Sequence, residues 1–232
     1  MAKLAGAVAF GLFVHLWWRA AGVATGPIWV HLGTPVAALW DLLLLAFFFV
    51  AHSGFASEAF KRRVALAREP MRRLYLFLTF PVMLVVWGLY VPLGAPVIWD
   101  LRGWLDWPFL IVRLGALAGL IWVVRSFELA DFFGDRRAGV RADGPARLSV
   151  AGAFSLCRHP LYLFMTLLAA AETFMPLGRA LMAAALLVYV PVGSRLEEEK
   201  LGRDFGPDYA RYRAGTPWLL PTPASIARAF RG

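Results

Sequence analysis

The run Cys157-Arg158-His159-Pro160-Leu161-Tyr162 sets a guanidinium and an imidazole at the mouth of an apolar segment. Further along come Arg195, the acidic triplet Glu197-Glu198-Glu199, Phe205-Gly206, Tyr209 and Tyr212. A carboxylate suits a cationic amine, and Arg158 or His159 suits a carboxylate. Together they suit a small zwitterion, such as an amino acid or S-adenosylmethionine. Adjacent helical residues point about 100° apart, so one glutamate can face a pocket while its neighbour faces water or an arginine. Tyr209 and Tyr212 are three apart and share a helix face. There they can enclose a nucleobase or hold a sulfonium ion by cation–π contact.

Each part alone also has a plain structural reading. Arg158-His159-Pro160 suits an interfacial anchor followed by proline in a first helical turn. Glu197-Glu198-Glu199 suits a solvated first turn favoured by the helix dipole. Tyr209 and Tyr212 suit a membrane-interface belt. His15, His31 and His52 are scattered and read as packed or interfacial, and Cys157 as a packed thiol. The sequence shows no metal-ligand spacing, no glycine-rich phosphate loop and no Ser-His-Asp order, so no metal is assigned.

The elements that must carry these residues are apolar. Of 232 residues, 60% are hydrophobic and 17% charged, a balance that few soluble domains of this size show. A single cysteine rules out an internal disulfide framework. The net charge of +9 falls between apolar runs, which favours membrane orientation over nucleic-acid binding. Apolar runs over 4–23, 35–51, 74–93 and 108–127 read as four membrane helices, since about 20 mostly apolar residues cross the hydrocarbon core. The run 4–23 reads as a retained helix, because no small-residue cleavage site follows Trp17-Trp18. Two shorter runs, 161–175 and 179–192, read as a helical hairpin broken at Pro176-Leu177-Gly178.

Lys and Arg number six in 56–73, five in 128–158 and seven in 194–232, against none in 25–34 and one in 94–107. By the positive-inside rule the first three segments face the cytosol, with both termini. Arg158-His159, the glutamates and the tail then meet on one face. The expected fold is all-α: a polytopic integral membrane protein of five to six membrane segments, with a C-terminal helical hairpin and a cytosolic C-terminal cap. Within a single membrane domain, 1–127 holds four helices, 128–158 a cytosolic connector, 159–193 the hairpin and 194–232 the cap. Glu172 is the acid inside the hairpin, and an intramembrane carboxylate is a functional candidate by default.

The block Arg158-His159-Pro160-Leu161-Tyr162, Glu197-Glu198, Phe205-Gly206, Tyr209, Tyr212, Pro217 and Pro221 resembles the isoprenylcysteine carboxyl methyltransferase and phospholipid methyltransferase superfamily. Four further stretches resemble its methanethiol S-methyltransferase branch. They are His52-Ser53-Gly54-Phe55-Ala56, Arg73-Leu74-Tyr75, Pro96-Val97-Ile98-Trp99-Asp100 and Asp131-Phe132-Phe133-Gly134. The resemblance implies an integral-membrane methyltransferase that takes S-adenosyl-L-methionine as cofactor under a cytosolic cap. It implies that His159, Pro160, Tyr162, Glu197, Glu198, Tyr209 and Tyr212 bind the cofactor. Arg158 and Arg195 are candidates to favour a thiolate, and they join Glu172 as candidate catalytic residues.

The implied partners are the lipid bilayer and a methyl acceptor, with no nucleic acid. The acceptor is a small thiol, or alternatively a lipophilic molecule: an isoprenylcysteine carboxylate, a phospholipid amine or an isoprenoid. A third alternative is a non-enzymatic membrane subunit that keeps the scaffold. The implied location is the bacterial inner membrane. Two positions depart from the family pattern: Phe164 stands where glycine is usual, and Glu128-Leu129-Ala130 where the branch tends to carry Asn-His-Phe.

Overall fold

A computed structural model of the chain describes residues 33–65, 68–126, 148 and 150–230. The expected first membrane helix over 4–23, and the Asp131-Phe132-Phe133-Gly134 stretch, lie outside the described residues. The described chain divides into two compact units. One comprises residues up to Gly103 together with Thr173–Tyr189, and the other comprises Trp104–Glu172 and Val190 onward.

The first unit opens with α1 (Thr34–Ala56), a short basic α2 (Glu58–Val64) and α3 (Arg68–Leu89). On α1 the residues Val36, Leu39, Leu43, Phe47 and Val50 are all exposed. Their spacing forms one apolar stripe along the helix. An exposed stripe of this kind needs lipid rather than water against it. The other face of α1 packs Leu44 and Leu45 with Val86, Tyr90 and Met182. Asp41, fully buried, accepts a 2.9 Å hydrogen bond from the Val91 amide, and Trp40 donates to the Leu89 carbonyl at 2.9 Å. Both contacts satisfy backbone groups left over where α3 ends.

After α3 the chain is extended. Strand β1 (Val97–Asp100) pairs antiparallel with β2 (Phe174–Pro176), Trp99 opposite Met175 and Asp100 opposite Phe174, with an irregularity between Val97 and Trp99. This small sheet corrects the all-α expectation, although the fold remains mostly helical. It also moves the break in the C-terminal hairpin. Pro176 ends a strand, and Leu177 already begins the next helix.

The second unit contains α4 (Asp106–Ser126), α5 (Ala153–Leu156) and α6 (Pro160–Ala170). It also holds the later part of α7 (Leu177–Phe205), α8 (Pro207–Gly215) and α9 (Pro223–Ala229). Its core joins Val123 of α4 to Ala153, Leu156 and Cys157, to Leu163 and Phe164 of α6, and to Ala229 of α9. Helix α9 is closed at its start by a capping box between Thr222 and Ser225.

Helix α7 is a second correction. The glutamate triplet does not open a new helix; it lies within one 29-residue helix. The run 179–192 and the glutamates, read as separate elements, are one continuous helix. Pro191 lacks a donor but is accommodated inside the helix, and the buried Ser194 hydroxyl donates to the Pro191 carbonyl at 3.2 Å.

Among the described residues, three helical stretches are long and apolar enough to cross a membrane: Thr34–Ala56, Asp106–Val123 and Leu177–Phe205. Phe77–Leu89 and Pro160–Ala170 are apolar but shorter.

Candidate active site

The charged residues converge in the second unit because two distant segments are stitched together by backbone. The Arg158 amide donates to the Pro217 carbonyl at 2.9 Å and the His159 amide to the Trp218 carbonyl at 3.3 Å. Trp218 also donates its indole N–H to Ser194 Oγ on α7 at 3.1 Å. The tail is thereby tied both to the residues just before α6 and to α7.

His159 stands at the residue before α6, outside helical geometry, with Pro160 opening the helix. A fixed φ and a missing donor suit proline to that position. The imidazole is almost fully buried. Its Nε2 donates to Glu198 Oε1 at 3.1 Å, which places a proton on Nε2. Its Nδ1 lies 3.4 Å from Glu197 Oε2.

Glu198 is the centre of the cluster. Besides His159 it faces Arg158 Nε at 3.1 Å and Arg213 Nε at 3.5 Å. The Arg158 contact is ionic without an aligned hydrogen bond, since that buried Nε makes none. Arg158 also donates from its guanidinium to the Arg213 carbonyl at 3.2 Å. The Glu198 side chain is 11% exposed and that of Glu197 50%, so burial separates the two glutamates.

A cleft of about 970 Å³ opens beside this cluster. Arg158, Arg195, Arg213, Glu198, Glu199 and Tyr209 supply its polar wall, with Gly202 and Gly206 among the other lining residues. Gly206 has φ +50°, a conformation costly for other residues, and there α7 ends and the chain turns into α8. The Tyr209 side chain is buried, and its hydroxyl has no hydrogen-bond partner among the described residues. Burial, reinforced by the neighbouring Glu198 carboxylate, pushes the Tyr209 phenol up to about 12. It therefore stays a neutral donor at physiological pH.

Most residues singled out in the sequence meet here, in different roles. Arg158, Arg195, Glu198 and Tyr209 line the cleft, whereas Glu197 is not among its lining residues. His159 backs Glu198 from the interior, and the Tyr162 ring lies 5.8 Å from the imidazole. Pro160 is buried. The Tyr212 hydroxyl is already committed, donating to the Phe154 carbonyl at 2.7 Å. Burial raises the Tyr212 pKa above its ordinary value.

Glu172 stands apart. It lies beyond the far end of α6, whose 11 residues span about 16 Å, and pairs with Arg113 of α4 at 3.5 Å. Glu199 and Arg213 are lining residues that the motifs did not mark as site residues. The spacing of Glu199 was visible in the triplet; Arg213 carried no signal beyond its charge.

Cys157 adjoins this cluster but packs into the core, fully buried. Burial pushes its thiol up to about 11 despite a hydrogen bond from the His159 amide. Only ~1 thiol in 10³ or fewer is then ionised at pH 7.5. The folded protein should resist N-ethylmaleimide at that pH and react once unfolded; rapid labelling of the folded chain, read by intact mass, would contradict this packing.

The chain is 30% identical over 207 residues to the methanethiol S-methyltransferase of Pseudomonas deceptionensis, covering 81% of this chain and 74% of that protein. It is 31% identical over 207 residues to methanethiol S-methyltransferase 2 of Bradyrhizobium diazoefficiens, covering 83% and 78%. The methanethiol S-methyltransferase of Mycobacterium tuberculosis is 28% identical over 206 residues, covering 81% and 79%. No protein-family model and no solved structure matches the chain. Apolar spanning helices and relatives of this kind define a membrane methyltransferase. The chain belongs to the methanethiol S-methyltransferase family, the branch its motifs resemble.

Proposed function

We propose that this enzyme transfers a methyl group from S-adenosylmethionine to a small thiol of the methanethiol class. The observation that carries this reading is the extent of similarity to methanethiol S-methyltransferases, which runs over four fifths of the chain. The cleft chemistry supports the donor. A molecule with an α-carboxylate, an α-ammonium and an adenosyl group needs guanidinium, carboxylate and aromatic or hydroxyl partners, and the cleft supplies all three. Its volume falls within the usual range for sites that enclose small molecules. The unpartnered Tyr209 hydroxyl is a buried donor that a ligand can satisfy.

In this reading Glu198 and Glu199 hold the ammonium, while Arg158, Arg195 and Arg213 hold the carboxylate. When bound, the donor supplies an electrophilic methyl carbon on a sulfonium that is already a good leaving group. The chain supplies orientation and exclusion of water. His159 keeps the Glu198 carboxylate in one position by its 3.1 Å hydrogen bond. The cleft guanidinium groups lower the cost of a thiolate nearby, because thiolate is the nucleophilic form and is favoured by neighbouring cations. Residues 194–232 act as the cap, and the Lys and Arg bias supports a cytosolic side for this cap and both termini, with the bacterial inner membrane as the proposed location.

The test is binding of S-adenosylmethionine and S-adenosylhomocysteine to detergent-purified protein by calorimetry, followed by turnover with methanethiol and with a farnesylated cysteine. Binding with release of dimethyl sulfide, and no product from the prenylated substrate, is the expected result. Well-folded protein that binds neither cofactor form would overturn the donor assignment. Turnover of the prenylated substrate alone would overturn the acceptor class.

A further inference from the structure

The cleft leaves unused a polar cluster in the first unit; the sequence marks its His52, Ser53 and Tyr75 only by resemblance to the branch and gives no sign of Tyr189. His52 lies one turn before the end of α1, with Ser53 beside it; Tyr75 is on α3 and Tyr189 on α7. The Tyr75 oxygen is 2.9 Å from His52 Nδ1 and 3.0 Å from Nε2. Ser53 Oγ and the Tyr189 hydroxyl are 2.9 Å apart. The Phe48 ring stacks on the imidazole at 5.5 Å, and Phe49 on Tyr189 at 4.2 Å. Three apolar helices thus spend an imidazole, two phenols and a hydroxyl on one spot. Ionisable groups inside membrane segments are costly and mark ligand pathways or sites.

Hydrogen-bond geometry leaves the imidazole capacity to spare. Its two nitrogens present their proton and lone pair in diverging directions in the ring plane. A single hydroxyl oxygen can align with only one of them. The second ring nitrogen can therefore take a further partner, and His52, Ser53 and Tyr75 are only half-buried and can be reached. The cluster itself contains no carboxylate, and the nearest acid on the same helix, Asp41, lies 11 residues away, about 16 Å. A cation is therefore a poor occupant. A small neutral molecule with one weakly acidic proton and a soft apolar body fits better. An S–H can donate to imidazole, sulfur accepts weakly from a hydroxyl, and polarisable sulfur packs well against aromatic rings.

We propose that His52, Ser53, Tyr75 and Tyr189 form a binding site for the neutral thiol acceptor. This rests on the small-thiol reading above. The probe is ethanethiol, added without any methyl donor to purified protein and followed by saturation-transfer NMR. His52→Phe keeps the ring and its stacking on Phe48 but removes both nitrogens; Tyr75→Phe removes only the hydroxyl and guards against a folding defect in the first variant.

The expected result is at least a tenfold weaker ethanethiol Kd in His52→Phe and a matching rise in thiol KM. S-adenosylmethionine affinity should stay unchanged in both variants. Unchanged Kd and KM in both variants, with the wild type turning over thiol, would overturn this site alone. A wild type that neither binds nor methylates any thiol would instead overturn the small-thiol function and the site with it.

Discussion

Glu198→Gln should reduce methyl transfer at least ~100-fold and weaken binding of the proposed donor, while Glu197→Gln should change either by less than ~10-fold. The contrast follows from burial and partners. Glu198 faces His159, Arg158 and Arg213 from within the unit, whereas Glu197 is half exposed and has the His159 Nδ1 contact at 3.4 Å. Glutamine keeps the shape of Glu198 but removes its charge. Arg158 and the imidazole then stay buried without their carboxylate, and breaking a buried pair in this way costs about 3–5 kcal/mol. Arg213 is mostly exposed and adds at most about 1 kcal/mol. Calorimetric titration of S-adenosylmethionine and initial rates with methanethiol separate the two variants. Near-native turnover by Glu198→Gln would remove this carboxylate from the site; a larger loss in Glu197→Gln would reverse their roles.

The second large effect is on stability, at Gly119. A Cβ built there would lie 2.3 Å from Cε1 of Phe164 and 2.4–2.5 Å from two more ring atoms. Carbon atoms settle at about 3.5–4.0 Å, so the ring or the helices must move. The ring is buried in the core shared by α4 and α6 and has little room to yield. Gly119→Ala should therefore destabilise the unit by about 1–3 kcal/mol, the usual cost of overpacking, despite alanine's better helix propensity. Phe164→Leu in the same chain should recover most of that loss, which a double-mutant cycle would read as strong coupling. Thermal unfolding of the purified protein in detergent checks both. A Gly119→Ala chain as stable as the parent would show that α4 and α6 do not pack as described.

This contact also gives a physical meaning to a departure seen in the sequence. Phe164 is the position at which the resemblance leads one to expect glycine, and here the missing side chain is on the opposite helix, at Gly119. Gly115 and Gly119 stand four apart in an apolar helix, a spacing that permits close packing, but it does not say that Gly119 rather than Gly115 receives the ring.

Long apolar runs were the legible part of the fold. The run 35–51 lies inside α1, and the run 108–127 follows α4 to within a residue or two. Hydropathy alone could not see that Arg68–Arg73 is already helical, because charged residues at a helix start look like a connector. The pairing of Phe174–Pro176 with Val97–Asp100 was invisible for a different reason. Three residues offer no period to read, and their partner is more than 70 positions away. The helix bearing the glutamates starts well before them, although Pro191, Gly193 and Ser194 are all poor helix formers. The tertiary setting overrides them: Ser194 is buried and receives the Trp218 indole N–H.

In the candidate site, the motif residues before and after α6 and α7 were legible from type and spacing. The ordering of the three glutamates was not, because it depends on the phase of α7. Nor was the ion pair that draws Glu172 toward Arg113, since the two are 59 residues apart.

The backbone bonds from Arg158 and His159 to Pro217 and Trp218 set an order of events at the ribosome. Every apolar helix of the chain is translated before Pro217 exists. Insertion into the bilayer and completion of the charged cluster are therefore separate moments, the second waiting on Pro217 and Trp218. A chain halted between Gly206 and Pro217 would leave the Arg158 and His159 amides without the carbonyls that hold them.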